Sequence, residues 1–406
     1  MIRIKSSTSF LKGSILLESS KSISNRILII RALSKQQFSI NNLSSSDDTV
    51  IMINLLKSYK KSLRINCNHA GTTLRFLTAF LSSIDGQWII EGSNRMHQRP
   101  IGPLVNCLNE LGANIKYLNN KNYPPLKIFG KLIKGGEIDI RGDISSQYIS
   151  ALLMIAPTLK KGLKISINSK ILSKPYISMT LTLMEQMGIK YQWNNNIIII
   201  PCQDYACKDY NVENDWSGAS FWYSFAALSS KAEIEIPLLK KNSIQGDAQL
   251  YKIYEKLGVS TKFYNNKIII KKCKSLNNNI NLDLSDCPDI ALPIITTCAG
   301  LGLKAYLYGL ESLKHKESDR LIMIKKELNK FGIFSEIDER SIKLSKNQSL
   351  KTPTQVIKTH DDHRIAMSIA PLCLKTKFIE FDDINVVNKS YPKFWKDLEN
   401  IGINCN

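Results

Sequence analysis

The sequence predicts an α/β protein built from several similar units of about 70–75 residues. Five short segments, at 108–112, 184–188, 254–258, 328–332 and 398–402, each close an apolar-periodic stretch on a glycine. Those glycines, Gly112, Gly188, Gly258, Gly332 and Gly402, lie 76, 70, 74 and 70 residues apart. After four of them come a strand-like segment, a polar turn and a second strand-like segment. Such a unit exceeds the 20–50 residues of common solenoid repeats. It has room for two helices, and 406 residues hold five or six such units.

Each glycine reads as the left-handed cap that ends a helix. The turns that follow are 119–122, 194–196, 265–266 and 338–340, the first three rich in Asn, which tolerates positive φ and suits hairpins. Gly300-Leu-Gly302 imitates a dinucleotide loop, but its glycines follow a helix-like stretch and precede a strand, the reverse of the order that loop needs. A cleft between groups of such units is a common place for a ligand.

Composition narrows the function. At 43% hydrophobic and 22% charged, with 20 Gly and 13 Pro, the chain is neither disordered nor collagen-like. Its longest apolar stretch, 290–303, is 14 residues, short of the roughly 18 a membrane helix needs. Residues 1–5 carry no signal-peptide pattern, so a cytoplasmic protein without a membrane partner is expected. Nine cysteines without a C-x-x-C pair read as reduced, mostly buried thiols rather than a zinc site or disulfide framework. The net charge of +20, from 55 Lys+Arg against 35 Asp+Glu, fits a nucleic-acid footprint or a basic setting for an anionic small substrate. The lysines are scattered, with no run of five or six basic residues, so no nucleic-acid partner is expected.

Several motifs place cations, hydroxyls and small residues at predicted helix starts, where free N–H groups favour anions. They are Lys21-Ser22 to Arg26, Gly71 to Arg75, Arg99-Pro100, Ser145-Ser146-Gln147 and Ser173 with Tyr176. Further along come Lys316-Glu317 to Arg320, His360 to Arg364 and Lys389. Each alone also reads as an ordinary helix cap or solvated charge run. His360 and His363 stand three apart, but no third metal ligand is assigned and no metal is expected. Eight cations, Lys21, Arg26, Arg75, Arg99, Lys316, Arg320, Arg364 and Lys389, are too many to converge without anions, and two phosphates and a carboxylate would use most of them.

The ordered set K-S-x-S-N-R, A-G-T-T-x-R, R-P-I, S-S-Q, S-K-P-Y, D-x-P-D, K-E-S-D-R, D-D-H-R-x-A-M and K-S-Y-P resembles the EPSP synthase (3-phosphoshikimate 1-carboxyvinyltransferase) family of enolpyruvyl transferases over about residues 20–402. The related UDP-N-acetylglucosamine enolpyruvyl transferases lack this set and use a catalytic cysteine loop. The resemblance implies two similar inverse α/β-barrel domains of repeated βαβαββ units, with the active site in the interdomain cleft. The domains would be 20–214, and 1–19 joined to 215–406. The implied reaction transfers the enolpyruvyl group of phosphoenolpyruvate to the 5-hydroxyl of shikimate 3-phosphate and releases phosphate. No cofactor is implied, and a monomer is expected.

Carried over position by position, shikimate 3-phosphate would contact Lys21, Ser22, Arg26, Ser145, Ser146, Gln147, Ser173, Asp289 and Lys316. Phosphoenolpyruvate would contact Lys21, Gly71, Arg99, Gln147, Arg320, Arg364 and Lys389. Asp289 is the implied base for the 5-hydroxyl, and its place beside an apolar helix start is expected to desolvate it. Glu317 and Lys21 are implied for proton traffic at the methylene carbon. Two positions depart from the family: His69 stands where Asn is usual, and Ser312 where many members place Asn or another polar contact.

Overall fold

A computed structural model describes residues 1–8, 10–206, 208–274 and 278–406. Cys207 lies outside the described residues, as does the side chain of His315. Contacts divide the chain into a first unit, Met1–Ser20 with Glu213–Asn406, and a second unit, Lys21–Val212.

One pattern recurs in both. In the second unit, strand Arg64–Asn66 runs through helix Gly71–Ser82 into strand Gly86–Glu91, which pairs parallel with it. Helix Gly102–Glu110 then leads to the hairpin Asn114–Tyr117 and Leu126–Gly130, and the later hairpin strand pairs antiparallel with Gly86–Glu91. The same order and sense return in the sheet from Gly136–Ile140 to Ile197–Ile200. They return twice in the first unit, in the sheets headed by Phe10–Ser14 and by Asn279–Asp283. A fifth copy draws its last strand from Ile2–Ser6, which pairs antiparallel with both Ile379–Phe381 and Ile403–Cys405.

Patterning explains which helices lie inside. In three of the copies the first helix is buried on nearly every side: Trp216–Leu228 buries all but Ser217, Ala291–Gly300 all but Gly300, and Gly71–Ser82 all but Thr72. A helix with no polar face belongs at a centre. The second helices keep a polar face, and the strands alternate, as in Lys231–Pro237, whose Ala232, Ile234 and Ile236 point inward. Each unit therefore wraps sheets around a core of helices.

The five glycines behave as their spacing predicts, with φ of 101°, 83°, 83°, 77° and 90° at Gly112, Gly188, Gly258, Gly332 and Gly402. The N–H groups of Ala113, Ile189 and Ile333 reach back to the carbonyls of Leu108, Met184 and Leu328, the bond that closes a left-handed helix cap. Of the eight described cysteines, Cys67, Cys107, Cys287, Cys298 and Cys373 are buried, and all eight are unbridged. No helix among the described residues is long and apolar enough to cross a membrane.

A β-carbon at Gly332 would meet nothing closer than 3.5 Å, so the cost of one there is conformational. Gly332→Ala should lower the unfolding free energy by about 1–2 kcal/mol, and Gly332→Asn by less. Denaturant titration of the three proteins measures this; an unchanged midpoint for Gly332→Ala would contradict the cap.

Candidate active site

In the first unit the late motifs form one ionic network. Asp289 sits in the turn Pro288–Ile290, ahead of buried helix Ala291–Gly300. Its Oδ1 accepts from Lys316 Nζ at 3.1 Å and Arg320 Nη1 at 3.5 Å, and its Oδ2 lies 3.7 Å from Arg364 Nη2. Arg364 Nη1 also donates to the Asp289 carbonyl at 2.6 Å. Arg320 opens helix Arg320–Lys330 with its side chain 2% exposed, where only paired charge is tolerable. It donates to Asp362 from Nε at 2.8 Å and to Glu317 from Nη2 at 2.8 Å. Glu317 holds Lys389 Nζ at 3.2 Å through its other oxygen. Asp362 also caps helix His363–Ile369 through the Arg364 N–H and accepts from Ser318 Oγ at 3.0 Å.

Burial pulls the Arg320 pKa down, but Asp362, Glu317 and Asp289 together outweigh it and hold the group above its ordinary value. Burial dominates at Lys316 and lowers it, against the pull of Asp289. The apolar setting expected for Asp289 is not what surrounds it. Three cations face it, because the turn before the helix meets the segment 316–320 and Arg364.

Asp247 belongs beside this network and was not foreseen. The short turn of 3₁₀ helix Gly246–Gln249 buries it, and Ser217 Oγ donates to its Oδ2 at 2.5 Å. Burial first, then the charge of Asp289, push its carboxyl up to about 7, against the pull of Arg364. A lone Asp after Gly reads as a surface turn in sequence, so no pattern marks it. Asp362 lies inside the D-D-H-R-x-A-M motif, where the resemblance assigns it no role.

The second unit gathers the early motifs. Lys21 opens helix Lys21–Leu33 with Nζ 3.5 Å from buried Asp48. Arg26, one turn on, is buried and donates to Thr180 Oγ1 at 2.7 Å, the Ser22 carbonyl at 2.8 Å and Ser150 Oγ at 3.2 Å. Burial pushes it down to about 10, as expected for a guanidinium whose partners are neutral. Arg75 is held likewise, by the Gly71 carbonyl at 3.0 Å and Gln147 Oε1 at 3.1 Å, while Gln147 Nε2 donates to Thr72 Oγ1 at 3.1 Å.

Gly71 leaves room for two guanidinium groups. A β-carbon there would stand 2.4 Å from Arg99 Nη1 and 2.8 Å from Arg75 Nη1, so those nitrogens are at most 5.2 Å apart. At an effective dielectric of about 20, two unit charges at that distance repel by about 3 kcal/mol. An anion between them would remove that cost. Ser145 caps helix Ser146–Ile155 through the Gln147 N–H, with Ser146 buried beside it. Ser173 precedes helix Lys174–Gln186 at φ 56° without a side-chain cap, a strained placement of the kind that collects at binding sites.

The two departures are placed as well. His69 is exposed in the loop before Gly71. Ser312 Oγ is inaccessible and has no hydrogen-bond partner among the described residues. His360 Nε2 lies 2.8 Å from Glu327, and His363 is buried against Asp362. No group of three or more His, Cys, Asp or Glu among the described residues is placed to hold a metal ion.

The raised Asp247 carboxyl gives a pH dependence of fixed sign. The folded protein binds its proton up to about pH 7, the unfolded chain only to about 3.8. Its contribution is full below about pH 3.8 and is lost as pH rises to 7, by up to about 4 kcal/mol. Asp247→Asn should therefore gain stability relative to wild type between pH 4 and 7, measured by denaturation across that range; a constant difference would contradict the assignment.

A family model described as EPSP synthase (3-phosphoshikimate 1-carboxyvinyltransferase) matches residues 5–64 and 57–398. A 3-phosphoshikimate 1-carboxyvinyltransferase of Bacteroides fragilis is 44% identical over 399 residues, covering 98% of this chain and 97% of its own. One from Vibrio atlanticus is 34% identical, covering 96% of this chain and 97% of its own. An EPSP synthase structure from Acinetobacter baumannii superposes with a TM-score of 0.79 at 19% identity, over 100% of this chain and 99% of that one, which shows the shared fold. With a full-length family match and relatives above 30% identity, this chain belongs to the EPSP synthase (3-phosphoshikimate 1-carboxyvinyltransferase) family.

Proposed function

We infer that this chain transfers the enolpyruvyl group of phosphoenolpyruvate to the 5-hydroxyl of shikimate 3-phosphate, a step of aromatic amino acid biosynthesis. The observation that carries the reading is Asp289, a carboxylate held among Lys316, Arg320 and Arg364. Such a group can take a proton from a hydroxyl while the cations beside it hold phosphate and carboxylate.

In this reading residues of both clusters bind the same two substrates. Lys21, Ser22, Arg26, Ser145, Ser146, Gln147, Ser173, Asp289 and Lys316 bind shikimate 3-phosphate. Lys21, Gly71, Arg99, Gln147, Arg320, Arg364 and Lys389 bind phosphoenolpyruvate. A proton goes to the methylene carbon, with Glu317 and Lys21 the candidate donors, and positive charge develops at the adjacent carbon. The 5-oxygen attacks that carbon as Asp289 takes its proton. From the tetrahedral adduct phosphate leaves by C–O cleavage, and loss of a proton from the newly formed methyl group restores the double bond. Most of the catalysis is positioning and electrostatics, since the cations fix the leaving phosphate. The same reading takes the enzyme as a cytoplasmic monomer, which sizing chromatography against the chain mass of 45.9 kDa tests.

Phosphate release should require both phosphoenolpyruvate and shikimate 3-phosphate. Asp289→Ala should keep phosphoenolpyruvate binding and lose turnover by about 10²–10⁴-fold; near-normal rates would remove Asp289 from the role. Release with UDP-N-acetylglucosamine instead would overturn the substrate assignment. Gly71→Ala should leave the melting temperature nearly unchanged, since flexible Arg ends can move. It should raise the KM for phosphoenolpyruvate roughly ten-fold by displacing Arg99 and Arg75, the loss expected for a weakened charge-assisted bond.

A further inference from the structure

Glu327 lies two helical turns beyond Arg320 and is fully buried. Its Oε2 accepts from Lys330 Nζ at 2.6 Å and from the Lys358 N–H at 3.0 Å, and its Oε1 meets His360 Nε2 at 2.8 Å. Lys330 Nζ donates onward to the Val356 carbonyl at 2.9 Å. These bonds fasten helix Arg320–Lys330 to the segment 356–360. Two residues further on, Asp362 fastens the same helix again by gripping Arg320 at its first turn.

Between the two fastenings the backbone is strained. His360 and Asp361 both have φ of 54°, two consecutive side-chain-bearing residues in the left-handed region. The Thr359 N–H is held from the other side by Asp382 Oδ1 at 2.9 Å. Freed at His360, the turn would relax toward ordinary φ, and Asp362 would swing with it.

We propose that Glu327 is a positioning residue: through His360 it holds the strained turn 360–361 so that Asp362 can aim the Arg320 guanidinium. The inference rests on the proposed role of Arg320 as a phosphoenolpyruvate contact. Glu327 acts on substrate only through Asp362 and Arg320.

His360 offers a test that separates positioning from general stability. His360→Ala removes the bond and keeps the cost of left-handed φ at 360, whereas His360→Gly removes the bond and that cost and leaves Asp361 as it is. His360→Ala should raise the KM for phosphoenolpyruvate about ten-fold, with kcat and the KM for shikimate 3-phosphate within about two-fold of wild type. Solvent exchange of the Arg320 Nε–H, followed by NMR on arginine-labelled protein, should quicken by a similar factor. His360→Gly should recover most of both effects despite its lower helix-neighbour rigidity. Equal losses in the Ala and Gly variants, or a KM shift without a change in Arg320 exchange, would overturn the proposal. If wild type shows no turnover, the reaction reading fails by itself, because the exchange measurement needs no substrate and still decides the positioning claim.

Discussion

Buried positive charge is the constraint on which the rest of this structure depends. A guanidinium removed from water must find anions or strong acceptors nearby. The two units meet that demand differently. In the first, Arg320 is surrounded by Asp362, Glu317 and Asp289. In the second, Arg26 and Arg75 are held by hydroxyl, amide and carbonyl oxygens, which leave their charge in place. The first cluster sets carboxylates among its cations, whereas in the second Arg26 and Arg75 meet neutral oxygens. An enzyme handling two phosphorylated substrates has use for both.

The repeat explains how such charge is delivered. Several buried helices begin at a candidate motif: Lys21, Gly71 and Ser146 in the second unit, and Asp289 and Asp362 beside helix starts in the first. Apolar helices make the cores, and their first turns, rich in free N–H groups, carry the polar residues. The packing that stabilises each unit thereby fixes its site residues, since moving one requires moving a core helix.

What was legible in the sequence was local. The cap glycines announce themselves because helix periodicity stops on a residue that must adopt positive φ, and the hairpins follow within a few residues. The helix-start motifs were visible for the same reason. The environment of Asp289 was not: its cationic neighbours are 27 to 75 residues away, and only tertiary packing brings them in. Asp247 was invisible because burial, not residue type, makes it unusual. The fifth sheet is the extreme case, with Arg3 beside Glu380 across 377 residues, a pairing no periodicity can reveal.

The central claim is that cations from both units serve the same two anionic substrates. A crystal structure with shikimate 3-phosphate and an unreactive phosphoenolpyruvate analogue tests it most directly. The account predicts that the analogue contacts Arg99, Arg320, Arg364 and Lys389, and that Asp289 lies within hydrogen-bond reach of the 5-hydroxyl. Ligands bound to one unit alone, or at two separate surfaces, would contradict it.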